Sequence, residues 1–260
     1  MLKTSITVIL LILIILTNLS SSEYSFRKYQ HVKNFYSDIS SDAIKVGVKY
    51  NIPPAAIMAI AGLESGYGTG YVAQITGNIL SLGAFKGDKE LPRLYLPYSK
   101  SSKRVIFDAK EIKKYSKETL LWKKRPKSYK RDYRPSTFAG STKNLELLKY
   151  DKKLRVKACR NCLNDFATRW IIPNSKVKVF RDARAWLNAQ VLKKGITTLF
   201  DIKTNKKFIE MIGGHPHSFN YRKTWPKKAN LIMNRVGLVT LANDMYIKKI
   251  SFKNAWREDE

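Results

Sequence analysis

Apolar positions along the chain change their spacing from block to block, and the blocks delimit elements. Between residues 38 and 50 (DISSDAIKVGVKY), Ala43, Ile44, Val46 and Val48 fall inside a helical window with Ser41 or Asp42 as cap. The polar and aromatic residues before it, 23–37, read as an N-terminal arm. The densest block comes next. Pro53 and Pro54 suit a helix start, where a missing N–H costs nothing. Ala55 to Leu63 are then uninterrupted apolar or small residues, the pattern of a helix buried all round. Ile57, Ile60, Ala61 and Glu64 stand at i, i+3, i+4 and i+7, so a carboxylate shares the aliphatic face. Gly66, Gly68 and Gly70 end the helix.

The pattern is less regular downstream. Tyr71–Gln74 continues as a short helical turn, Thr76-Gly77-Asn78 opens a loop, and Ile79–Phe85 is a short apolar run. Leu94-Tyr95-Leu96 alternates like a strand, whereas Val105–Trp122 has helical spacing. Lys123–Arg134 is a basic loop bearing Tyr129 and Tyr133, and Asn144–Phe166 is Lys-rich and helical at best. Ser175–Gly195 and Asn205–Gly213 are helices with apolar faces. Gly213-Gly214-His215-Pro216-His217 is a tight loop, and Trp225–Lys248 reads as a closing helix. Helices dominate, so the expected class is mainly α (α+β), a helical domain with a small β or irregular lobe.

The first residues add an address. Lys3, the apolar run Ile6–Leu16 and Ser20-Ser21-Ser22 read as a signal peptide over 1–22, cleaved before Glu23. The alternative is an uncleaved N-terminal anchor. The expected location is therefore exported: periplasmic, cell-envelope associated or secreted. The remainder divides into a domain over 38–250 with a basic insertion around 86–169, and a C-terminal tail, 251–260.

Charge and cysteine content then narrow the partners. A net charge of +29 implies an anionic partner or surface. For an exported protein that is an anionic cell wall or membrane surface sooner than nucleic acid. Abundant Lys and Ile throughout the chain, as in an AT-rich genome, give the same excess without a partner. Cys159 and Cys162, the only cysteines, are spaced C-x-x-C. A local disulfide or two free thiols fit better than zinc, which needs two further ligands such as His215 and His217. No metal and no cofactor are expected.

Glu64 is the candidate for chemistry. In the last turn it meets the negative end of the macrodipole on an inward face, and both effects disfavour its charged form. A neutral carboxylic acid near pH 7 is what a general acid needs to protonate a leaving oxygen.

The stretch YNIPPAAIMAIAGLESGYGTGYVAQITGNILSLGAFKG, residues 50–87, resembles the bacterial glucosaminidase family of cell-wall hydrolases. That family runs helix, Glu-Ser-Gly, aromatic, Gly, then an Asn-containing loop ahead of Leu-Phe-Gly. Leu63-Glu64-Ser65-Gly66-Tyr67-Gly68 and Gly77-Asn78 stand at those places. The chain departs at Ile79, where a second Asn is common, and at Leu80-Ser81-Leu82. Val179–Ala185 is similar to the Phe-Arg segment of the family's Bax-like branch. Gly214–Tyr221 stands where the family has Gly-Tyr-Ala-Thr-Asp-x-x-Tyr, with His215 for the first tyrosine, Ser218 for the aspartate and Tyr221 kept.

The resemblance implies a lysozyme-like fold and hydrolysis of the β-1,4 bond after N-acetylglucosamine in peptidoglycan glycan strands. Glu64 would be the general acid, with Tyr221 near it. A second carboxylate would come from the β lobe; Glu90 is the first choice there, ahead of Asp88, Asp108 and Glu111, unless the substrate's own acetamido group assists. Ser65, Tyr67, Asn78, Tyr95 and His215 would line the sugar groove. Two alternatives remain: a lytic transglycosylase of the same fold, and a non-catalytic polybasic protein that binds cell wall or nucleic acid.

Overall fold

Helix α1 spans Gln30–Lys49, starting within the expected arm rather than at Asp38. Val32, Phe35, Tyr36 and Ile39 form a buried i, i+3, i+4, i+7 stripe there, interrupted in sequence by polar residues. The computed structural model describes residues 24–85, 88, 95–106, 111, 114–116, 118–124, 130–134 and 151–257. The segment read as signal peptide or anchor lies outside them, as do 36 of the 84 residues of the basic insertion.

Helix α2, Pro54–Ser65, is the centre of the molecule. Every residue from Ala55 to Ala61 is at most 1% exposed. Full burial of Ile57, Met58 and Ile60 contributes about 1.5–3 kcal/mol each. Pro54 lacks one of the N–H groups that a helix start leaves unpaired. The Ala56 N–H donates to the Asn205 side-chain carbonyl at 2.9 Å, which satisfies another from 149 residues away. Asn205 is fully buried and is itself held by its amide, which donates to the Leu199 and Asp201 carbonyls. The helix ends at Gly66 in the left-handed conformation, φ +55°.

Helix α3 is Tyr71–Thr76. The small lobe follows as a three-stranded antiparallel sheet of β1 (Tyr95–Ser99), β2 (Arg104–Val105) and β3 (Leu120–Lys124), in the order β2-β1-β3. The register pairs Tyr98 with Val105 on one side and with Leu121 on the other. The helix expected over Val105–Trp122 is therefore not formed at either end, because Arg104-Val105 and Leu120–Lys124 pair with β1 instead. Ile106, Leu120 and Ile75 make a small separate core against α3, and that burial outweighs the local helical spacing.

Helix α4, Lys152–Asp165, is capped by Asp151 accepting from the Leu154 N–H. It runs into a π-helical turn, Phe166–Trp170. Helix α5 is Lys178–Lys194, a 3-10 turn covers Ile196–Phe200, and α6 is Ile202–Ile212, capped by Asp201. The closing helix is two: α7, Trp225–Val236, and α8, Leu238–Tyr246, separated by Gly237 at φ +65°. Helix α9, Phe252–Ala255, completes the set. Nine helices and one small sheet among the described residues make the chain mainly α with a small β lobe.

Arg27 ties the turn before α1 to the last described helices. Its fully buried guanidinium donates to the carbonyls of Val236, Gly237, Ala255 and Arg257 and lies over the rings of Tyr24 and Trp256. Cys159 and Cys162, one turn apart on α4, are both buried and free. Burial pushes the Cys159 thiol up to about 12, and the Cys162 thiol higher than its ordinary value too. Neither is a reactive thiolate at neutral pH.

Candidate functional site

Glu64 stands half-buried in the last turn of α2, where the sequence places it. Its Oε1 accepts a hydrogen bond from the indole Nε1 of Trp225 at 2.7 Å. Among the described residues no other hydrogen bond or ion pair reaches it. Trp225 opens α7, and its ring rests on the backbone of Gly213, where a Cβ would come within 2.2 Å of the ring. Only glycine at 213 lets the indole lie flat enough to aim its N–H at Glu64. The loop between them is fastened on itself by Phe219 N–H to Ile212 carbonyl at 2.7 Å and Gly214 N–H to Asn220 carbonyl at 2.8 Å.

Trp225 is the last ring of a row. It meets Phe219 at 5.5 Å between centroids, Phe219 meets Trp170 at 6.3 Å, and Trp170 meets Phe85 edge-on at 5.2 Å. Exposure rises along the row, from a buried Trp225 to an exposed Phe85. The π-helical turn sets Arg169 and Trp170 side by side at the far end, with the Arg169 guanidinium over the Phe85 ring at 4.4 Å.

A second carboxylate closes that end. Asp88 is ion-paired to Arg131 at 2.5 Å and to Arg169 at 3.0 Å, and it accepts from the Phe85 N–H at 2.9 Å. Asp165 joins the same cluster through Arg131, Arg169 and the Tyr133 hydroxyl. Burial pushes the Asp88 carboxyl up, but the hydrogen bonds from Arg131 and Arg169 outweigh it and hold it at about 2. Asp88 is thus a fixed anion across the working pH range.

Comparison with family models, with curated proteins and with solved structures finds no match for the chain.

The remaining candidates separate sharply by position. Ser65 does not face a groove: it is 3% exposed, its hydroxyl donates to the Ala61 carbonyl at 2.6 Å, and the Gly68 N–H donates back to it at 2.9 Å. It is a clasp between the helix end and the glycine turn. Asn78 is not a free amide either. At 2% exposure, its Nδ2 donates to the carbonyls of Leu82 and Arg131, and its Oδ1 accepts from the Leu82 N–H. Those bonds close the loop 78–82 and tie it to the basic segment around Arg131.

Tyr221 is 70% exposed with the Arg222 guanidinium over its ring, and among the described residues no hydrogen bond or ring contact links it to Glu64. His215 has both ring nitrogens against carbonyls of its own neighbourhood, Met211 and Pro216. Of the Gly214–Tyr221 segment, it is Phe219 that reaches toward Glu64, through Trp225. Tyr67 packs away from Glu64, among Phe35, Tyr36 and His31. Glu90 and the Tyr95 side chain lie outside the described residues.

Sequence reasoning missed Trp225. A lone tryptophan opening a helix just after a Gly-Gly loop is the signal that pointed to it. Among the described residues no three His, Cys, Asp or Glu side chains gather as metal ligands.

Proposed function

We propose that the protein is a peptidoglycan glucosaminidase of the bacterial cell-wall hydrolase type, with Glu64 as general acid. The observation that carries this is the setting of Glu64: a half-buried carboxyl at the C-terminal end of a buried helix, gripped at one oxygen by Trp225 Nε1. An N–H donor fixes the rotamer while leaving the group able to give its proton to a glycosidic oxygen. The resemblance of residues 50–87 to the glucosaminidase pattern supports the same substrate class. The ring row Phe85, Trp170, Phe219 and Trp225 supplies apolar faces of the kind on which pyranose rings lie. An exported location and a partner of anionic cell wall belong to the same reading, and the charge of +29 favours that surface.

A second reading is a lytic transglycosylase, and one observation favours it. Asp88 is committed to two arginines, so it offers no spare base for a water. A transglycosylase needs only the lone acid, because the sugar's own hydroxyl attacks. Digestion of purified cell walls followed by mass spectrometry of the fragments decides between them. Reducing-end N-acetylglucosamine supports hydrolysis after that sugar, and 1,6-anhydromuramic ends would replace it with the second reading. Undiminished digestion by Glu64→Gln would remove both, and salt-sensitive wall binding without any cleavage would leave a polybasic binding protein.

A further inference from the structure

Helix α2 has a second side. Tyr36 and Tyr67 cover it at Gly62, where a Cβ would meet the Tyr36 hydroxyl at 2.5 Å and the Tyr67 ring at 3.2 Å. Glu64 is two residues on, about 200° round the helix, and faces Trp225. Against the Tyr67 side lies an open cavity of about 240 Å³, walled by α1, the glycine turn, α3 and α4, and neither Glu64 nor Trp225 lines it.

The lining has the two components of a ligand site, apolar surface and a few convergent polar groups. Phe35 and Tyr67 meet edge to face at 6.3 Å, with His31 against Tyr67 at 5.8 Å. Ile39, Ala73 and Ile79 supply an aliphatic floor. The uncharged polar groups not committed elsewhere are His31 and Asn34 at the rim and Gln74 on α3, whereas the Thr69 hydroxyl donates to the Gly66 carbonyl. The Asn34 oxygen accepts from Gln30 at 2.7 Å, which leaves its amide hydrogens for another acceptor. Among the described residues, no hydrogen bond occupies the Gln74 amide or the His31 ring nitrogens.

Charge decides what such a cavity takes. Asp38 and Arg155 both line it, but they bind each other at 2.8 Å, and Lys152 adds a second cation on Asp38 at 3.2 Å. An amino acid or peptide end needs an uncommitted carboxylate for its ammonium and an uncommitted cation for its carboxylate. Here Asp38 is committed to both cations, the surplus positive charge sits on the exposed Lys152 outside the lining, and what remains within the cavity is amide, imidazole and aromatic edge. That set fits a neutral polyol with one apolar face. The volume is below the roughly 300–1,000 Å³ of pockets that enclose drug-sized ligands, so it suits one ring rather than an oligosaccharide.

We propose that this cavity binds a single N-acetylhexosamine residue, on the side of α2 opposite Glu64. The pyranose face lies against Tyr67 and Phe35, its hydroxyls bond Gln74, Asn34 and His31, and the acetamido methyl meets the floor of Ile39, Ala73 and Ile79. The choice of sugar rests on the glucosaminidase reading, and the existence of the site does not. A wall hydrolase holding a chain end there stays on the wall between cleavages. This proposal places Tyr67 against a sugar on the side of α2 away from Glu64, and not in a groove beside it.

The test is an NMR titration of the full chain with N-acetylglucosamine, following the Gln74 and Asn34 side-chain amides and the His31 ring. Saturable shifts are expected at all three. The variant carrying Asn34→Leu and Gln74→Leu, followed at the His31 ring, should weaken binding at least tenfold, and Glu64→Gln should leave it unchanged. His31→Leu, on the exposed rim, provides a second probe if the double variant fails to fold. Absence of shifts at these groups overturns the proposal, as does binding that Glu64→Gln abolishes and the cavity variants spare. Stronger shifts with free alanine than with the sugar would replace it with a zwitterion site. Wall digestion is scored separately, so loss of the Glu64 reading with sugar binding intact is a distinct result that leaves this site standing.

Discussion

Glu64 and Asp88 stand at opposite ends of one row of rings, and the protein treats them in opposite ways. Asp88 accepts from two guanidiniums and a backbone N–H, and its charge is locked. Glu64 accepts from one neutral indole N–H. The contrast separates two jobs a buried carboxylate can do. A group paired with two cations holds structure, because removing its charge breaks the cluster. A group held by a single neutral donor keeps its place in either protonation state, which is the requirement for proton transfer.

The largest test of that contrast is Glu64→Gln. It should cost at least about 10²–10⁴-fold in wall digestion, measured by zymogram, with an unchanged circular dichroism spectrum; retained activity would erase the distinction. Asn78→Ala comes next. It strips the loop beside Asp88 of three hydrogen bonds and takes from the Leu82 N–H and the Arg131 carbonyl their Asn78 partner, while the Leu82 carbonyl keeps the Arg131 N–H. A loss of about 2–3 kcal/mol is expected in denaturant unfolding, with specific activity of the folded fraction unchanged. If Asn78 instead bound substrate, activity would fall and stability would not.

Trp225→Phe keeps the ring and removes the N–H. A hydrogen bond of about 1.4 kcal/mol corresponds to a tenfold change, so turnover should drop about tenfold with little effect on melting temperature. Asp88→Asn sharpens the other end. The folded pKa of about 2 lies below the ordinary 3.8. The stability it adds is therefore complete above pH 3.8 and is lost as pH falls from there toward 2. On the order of 1 kcal/mol is at stake once solvent screening is allowed for. The variant should be weaker at pH 7 and show a flatter acid limb between pH 4 and 2. Tyr221→Phe should change activity less than twofold, since that ring is exposed; a large loss would bring Tyr221 back to the site.

How far these features could be read from the chain follows from how local their causes are. The helix Pro54–Ser65 was legible because its start, its apolar run and its glycine stop lie within 20 residues. The same holds for α5 and α6, whose stripes are intact. The 105–122 segment was misread because its ends belong to a sheet set by pairing with β1, a partner its own spacing does not show. Asn78 and Ser65 were read as lining a sugar groove, and motif order cannot tell a side chain that closes a loop from one that faces a ligand. Glu64 was legible, and its partner was not, since 161 residues separate it from Trp225.

Arg27 carries a consequence for the order of assembly. Its carbonyl partners lie 209 to 230 positions along the chain, so these bonds of the Arg27 guanidinium cannot form until residues 236–257 have been made. Such distant closure comes late, after the local helices have formed. The Arg27 clasp therefore stays open on a growing chain until those residues emerge, and a substitution at Arg27 should show itself as a slower late folding step as well as a weaker fold.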